Sequence, residues 1–211
     1  MKQTTKLFVI ILLNFLIVIP VLSQDIFNGC DMDGSTNIEF LKVMNRKKNR
    51  YTIPTAADFD TSIKLSSFME PGDDHERYDE NKAVEIIGWV RDVKWGSNES
   101  CNCKRSGQNF QDVHIEIVPT KNTTSRKKVM VAEISPRLRE MIFDELDIPM
   151  SNSKLRTKIK KQKVKIKGWL MFDWEHVTDA VNTDPDDVYY RDNIRATTWE
   201  IHPVTSLEII Q

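Results

Sequence analysis

The chain has 211 residues, with 30 Lys and Arg against 31 Asp and Glu, a formal net charge of -1 and three cysteines. That balance gives no global attraction to nucleic acid or to an anionic membrane, so any polyanion binding has to be local. The length suffices for a single hydrophobic core and calls for no second folding domain.

Residues 1–23 read as a secretory signal peptide. Lys2 and Lys6 precede an apolar run from Leu7 to Ile19 broken only by Asn14, followed by Pro20 and the short exit Val21-Leu22-Ser23. The run is too short for a comfortable membrane span. The expectation is therefore cleavage near Ser23, a mature chain without a transmembrane segment, and a secreted or periplasmic location. Loss of Lys2 and Lys6 leaves 28 basic residues against 31 acidic ones, a mature charge of about -3. In an oxidising compartment, Cys30, Cys101 and Cys103 leave room for one disulfide and one odd thiol. Cys101 and Cys103 would close a small, strained ring, so a long-range bridge from Cys30 to one of them is expected, with metal ligation by the close pair as the competing reading.

Residues 24–82 read as a polar, turn-rich extension. A helix is predicted from Asn37 to Lys48, where Ile38, Phe40, Leu41 and Met44 recur at helical spacing. The basic cluster Arg46, Lys47, Lys48 and Arg50 suits the C-terminal end of its dipole. Asp31-Met32-Asp33-Gly34 is not a calcium loop, since its first and twelfth positions would be Gly29 and Phe40.

From residue 83 the pattern becomes that of strands. Val84 to Trp95 is rich in strand residues around Gly88, and Asp112 to Val118 alternates, with Val113, Ile115 and Ile117 on one face and Asp112, His114 and Glu116 on the other. A third strand is predicted over Lys128 to Ile134, then a helix capped by Ser135 with Pro136 at its first position and running to about Leu146. Strands return over Lys163 to Asp173 and Ala196 to Ile210. The order β-β-β-α-β-β in residues 83–211 is that of an OB-fold-like five-stranded Greek-key barrel, mainly β with one or two helices. The echo of Gly88-Trp89 in Gly168-Trp169 fits glycines placed where a small barrel bends. An open antiparallel sheet covered by helices is the alternative.

Several stretches resemble a family of secreted bacterial proteins: PGDDHERYDENKAVEIIGWVRDVK, KIKGWLMFDWEH and, near the C terminus, WEIHPVT at residues 199–205. The resemblance runs from Leu41 to the C terminus. It implies an envelope or extracellular setting and counterparts for Cys30 and Cys103, which favours their pairing in a disulfide; it brings no established activity.

Two constellations could carry chemistry. Asp112, His114 and Glu116 on one strand, His176 in a loop, and Glu200 with His202 on the last strand supply imidazole and carboxylate donors. Period two puts His114 with Glu116, and Glu200 with His202, on common faces. Two histidines and a carboxylate meeting at one point would hold a divalent, zinc-like ion and leave a place for water. The competing expectation is an ordinary polar barrel exterior facing water. The second constellation is a basic stripe ending in Lys163, Lys165 and Lys167. With Trp174 and Arg195 flanking the long acidic connection of Asp179, Asp184, Asp186, Asp187 and Asp192, it forms a candidate ligand surface for single-stranded nucleic acid or anionic polysaccharide. No nucleophile elbow or glycine-rich phosphate loop is present. The leading functional expectation is a binding module for an envelope or extracellular ligand. A metal-dependent hydrolase and a structural envelope protein are the alternatives.

Overall fold

The computed structural model describes residues 26–183 and 193–211. The expected signal peptide, and Asp184, Asp186, Asp187 and Asp192 of the acidic connection, lie outside the described residues. No described helix is long and apolar enough to cross a membrane.

Five strands close into a barrel: β1 (Ala83–Trp95), β2 (Val113–Val118), β3 (Met130–Ile134), β4 (Lys163–Phe172) and β5 (Trp199–Ile210), in the circular order β1-β2-β3-β5-β4. β3 and β5 run parallel and the other neighbours antiparallel. This is the OB-like barrel that the element order predicts. Alternation sets the inward face: Val113, Ile115 and Ile117 of β2, Met130, Ala132 and Ile134 of β3, and Val164 and Ile166 of β4 are fully buried in one core.

β1 serves two partners. Ala83 to Trp89 pairs with β4 and Trp89 to Trp95 with β2, so the strand bends at its middle. A Cβ on Gly88 would lie 2.4 Å from Ile117 Cγ2, and one on Gly168 would lie 2.4 Å from the Pro203 carbonyl oxygen. Only glycine permits those approaches. The β4–β5 register slips twice around Gly168, opposite the segment of β5 that contains Pro203. A proline cannot donate to the ladder, and it sits where the ladder is already broken.

The connection between β3 and β4 holds two helices, α1 (Arg139–Glu145) and α2 (Asn152–Ile159), where one was predicted. Ile142, Phe143, Leu155 and Ile159 enter the barrel's core. The first helix does not start at Ser135. That residue is buried in a preceding turn, where its carbonyl accepts from the Leu138 N–H at 3.1 Å, and no side chain caps the helix.

Residues 26–82 lie outside the barrel strands. Their helix, α0 (Glu39–Lys48), packs by only part of the apolar set that suggested it. Ile38 and Phe40 are exposed, and the buried positions are Met44, Asn45 and Lys48. This face grips the loop after β1: Ser100 Oγ donates to Asn45 Oδ1 at 3.0 Å and Asn49 Nδ2 to the Cys101 carbonyl at 2.9 Å. Cys30 and Cys103 lie at disulfide distance, and Cys101 is the buried free cysteine. Trp169 Nε1 donates to the Thr52 carbonyl at 2.7 Å, fixing the extension at a second point.

The crossing of β4 and β5 has no room for a side chain at residue 168. Gly168→Ala is expected to lower unfolding free energy by about 1 to 3 kcal/mol, the usual cost of overpacking. Urea unfolding followed by circular dichroism measures this, and a midpoint equal to the wild type's would show that Pro203 moves aside without cost.

Candidate metal centre

The outer face of β2, β3 and β5 carries the polar half of the alternation. His114 stands opposite Glu133 in the β2–β3 ladder. The parallel β3–β5 ladder pairs Val131 with Glu200 and Ala132 with Ile201, which brings His202 beside Glu133. Barrel exteriors of this kind usually face water. Here residues 26–50 and the loop after β1 cover it: Glu133 is 2 % exposed, Glu200 0 %, His202 1 % and Asp112 1 %. The loop folds back at Gly96, whose N–H donates to the Asp112 carbonyl at 2.8 Å, and delivers Glu99 and Cys101 over the face. Lys48 reaches in from α0, with Nζ 2.8 Å from Glu99 Oε2 and 3.5 Å from Asp173 Oδ2.

Within the cluster, polar atoms approach closely but mostly do not form hydrogen bonds. His114 Nε2 lies 3.1 Å from Glu133 Oε1, and His202 Nδ1 lies 3.2 Å from Glu133 Oε2 and 3.7 Å from Glu200 Oε2. His202 Nε2 lies 3.9 Å from Asp112 Oδ1. Among the described residues, His114 Nε2, both His202 ring nitrogens, Asp112 Oδ1, Glu133 Oε2 and Glu200 Oε2 are buried without a hydrogen-bond partner. Donors bound tetrahedrally at about 2.1 Å from an ion stand about 3.4 Å apart, the spacing these approaches bracket.

Burial dominates the electrostatics. It holds Glu133 well above the ordinary carboxylate range, with the charges of Glu200, Glu99 and Asp112 adding to the shift. It raises Asp112 to about 6, against an opposing pull from His202, and lowers His114 to about 4. Burial also works against the charge of Glu200, but contact with Arg195, and then His202, overcomes it and keeps that carboxyl well below the usual range. The Cys101 thiol is pushed well up by burial and by Asp112, so it is not an activated nucleophile.

Four of the six expected metal ligands, Asp112, His114, Glu200 and His202, meet here; two do not. Glu116, further along β2, is engaged by Arg91 and Lys94. His176 Nδ1 is 2.8 Å from Asp179 Oδ2, in a short 3-10 segment after β4. Glu133 and Glu99 join the cluster without having been read as ligands, and Cys101, whose metal ligation was the competing reading of the close cysteine pair, lies beside Glu99 and Asp112 while Cys103 pairs with Cys30. The signal for Glu133 was available: in the order β2-β3-β5 the outward residue of β3 must stand between those of its neighbours. Glu99 lies in an irregular loop and left no periodic trace.

The expected ligand surface is not assembled. Lys165 pairs with Glu208 and Lys167 with Glu85 across neighbouring strands, which offsets two of the three lysines, Lys163, Lys165 and Lys167, at the end of the stripe. Arg195 is 4 % exposed and turned inward by buried Glu200. Trp174 is exposed but packs edge-on with Phe172, His75 and Phe40. No protein-family model and no curated protein sequence matches this chain, so the functional reading rests on the chemistry of this cluster.

The raised value of Asp112 has a signed consequence. Between pH 4 and 6 the folded state holds a proton there that the unfolded chain has lost, so this term's stabilisation is full below about pH 4 and fades as pH rises through 6. His114 acts oppositely, because its folded value lies below its unfolded one, and it adds stability as pH rises from 4 to about 6.5. In chelator, the stability difference between wild type and Asp112→Asn is therefore expected to fall from pH 4 to 6 by about 2 to 3 kcal/mol. Urea unfolding across that window reads it, and a difference independent of pH would contradict the buried, protonated state.

Proposed function

We propose that this chain is a metal-binding OB-like module, acting outside the cytoplasm, in which Asp112, Glu133 and His202 hold a divalent first-row ion of zinc-like preferences. The observation that carries the reading is the convergence of buried nitrogen and oxygen atoms that lack hydrogen-bond partners. Each such atom costs about 1 to 3 kcal/mol if left unsatisfied, and one ion relieves several at once. Imidazole and carboxylate donors suit zinc and its first-row neighbours. The Asp112, Glu133 and His202 donor atoms lie within 4.8 Å of one another and all three residues are buried. A closed site is the form of a structural ion, which here would fasten the extension to the barrel.

A hydrolase is the second reading, and one observation favours it. Glu99, at the edge of the cluster, also walls a cleft of about 490 Å³ together with Ser35, Thr36, Ser97 and Ser100. Water and a small substrate would reach the cluster from there.

Elemental analysis of the purified protein, paired with melting curves, tests the proposal. At least one equivalent of a transition metal is expected to survive gel filtration. Chelation is expected to lower the melting temperature by several degrees, since an ion present at 100 times its Kd stabilises the fold by about 2.7 kcal/mol. His202→Ala is expected to remove both the metal and the chelator effect. A metal-free protein whose melting ignores chelator and added zinc would sink the reading.

A further inference from the structure

The histidines do not converge on one point. Donor groups within 4.8 Å of one another divide into Asp112–Glu133–His202 and Glu99–His114–Glu133, and among the described residues no such group contains both histidines. The carboxylate of Glu133 is common to the two, and it splits: Oε1 faces His114 Nε2 at 3.1 Å and Oε2 faces His202 Nδ1 at 3.2 Å. One ion cannot satisfy both ring systems, whereas a carboxylate can give one oxygen to each of two ions. A third group, Glu99–Cys101–Asp112, reuses members of the other two and adds no imidazole.

The two sets also differ in access. The side chains of Asp112, Glu133 and His202 are 0 to 3 % exposed, while those of His114 and Glu99 are 23 % and 16 % exposed. Beside His114 the backbone is bare: a Cβ on Gly96 would lie 2.8 Å from His114 Nε2, so a side chain there would displace the ring. Glu99 is oriented for the task. Lys48 holds its Oε2 at 2.8 Å, and its Oε1 is turned to His114 Nε2 at 3.9 Å. The same Glu99 faces the cleft.

Resting on the metal-binding reading, we infer that Glu99, His114 and Glu133 take a second divalent ion, exchangeable from the cleft, with Glu133 bridging it to the buried ion. Lys48 is then a positioning residue that fixes which oxygen of Glu99 is offered. The inner ion is sealed by its own ligands; the rim ion keeps a side open to water.

The test titrates chelator-stripped protein with zinc alone and counts bound metal after gel filtration, with a competing weak chelator to separate fast from slow exchange. Two equivalents are expected, one released quickly and one retained. His114→Gln, checked for folding by circular dichroism, is expected to bind one equivalent and to lose the fast phase. Should that variant not fold, Glu99→Gln at the exposed rim is expected to weaken the fast site by at least tenfold and leave the slow one. Saturation of the wild type at one equivalent, or two equivalents that exchange together and survive both substitutions, would overturn the bridge while leaving the single-ion reading intact. No bound zinc at all would overturn both.

Discussion

Burial of carboxylates on the outer face of the barrel is the constraint from which the rest of the structure follows. Glu133 and Glu200 stand on the neighbouring strands β3 and β5 of a closed barrel, and residues 26–50 with the loop after β1 exclude water from them. Removing a carboxylate from water without compensation costs several kcal/mol. Every charged group nearby is arranged around that cost. Arg195 is drawn in from the chain before β5 to meet Glu200, and Lys48 is drawn in from α0 to meet Glu99 and Asp173. Arg139 is buried at the start of α1, where it donates to the carbonyls of Gln108 and Gln111 and so holds the loop that makes the lid. Glu133 receives no Lys or Arg and no hydrogen bond to Oε2, and burial with the neighbouring carboxylates pushes its carboxyl well above the ordinary range.

The site lies outside the barrel because the inside is full. Small barrels of this kind pack their interior with side chains, and here Ile86, Ile115, Ile117, Ile166, Ile201 and Leu207 fill it with nothing polar among them. A polar centre can form only where a second layer meets the outer face. Over this face the extension supplies that layer mainly by polar side chains, with Asn45, Lys48 and Asn49 buried beside Met44, and Asn49 also accepts from Arg137 Nε at 3.1 Å; further along, its Ile63, Leu65 and Phe68 join the barrel's core. Over the site, attachment of the cover therefore depends on geometry and charge, while buried hydrocarbon anchors the extension elsewhere.

That dependence explains what the sequence did and did not disclose. Period-two alternation exposed the strands, and it placed Asp112 and His114, like Glu200 and His202, on polar faces. The lone carboxylate in Val131-Ala132-Glu133-Ile134 was legible only through topology, since the barrel order puts β3 between the two histidine-bearing strands. The second helix of the β3–β4 connection was hidden by its lysines, although Leu155 and Ile159 sit one turn apart and both are fully buried. The helix of the extension was legible from an apolar spacing of which only part is buried: Met44 packs inward, whereas Ile38, at its N-cap, and Phe40 are exposed. Alternation reports which side chains share a face. It does not report whether a distant segment will cover that face, and so the exterior read as water-facing was in fact the centre of the molecule's polar chemistry.

The cover and the proposed ions are linked by the same free energy. Docking the extension dehydrates Glu133, His114 and His202, and an ion bound by those atoms returns the interactions that water lost. Binding then contributes directly to holding the extension in place, as ligand sets absent from the unfolded chain make metal affinity part of folding stability. The link runs both ways: the lid brings Glu99 to His114, and Lys48 on α0 orients that carboxylate, so an undocked extension would leave Glu99 without the cation that positions it. The Cys30–Cys103 pair ties the beginning of the extension to the lid itself. Loss of the ions would loosen a cover that remains tethered there, leaving its return to depend on charge compensation at Glu133.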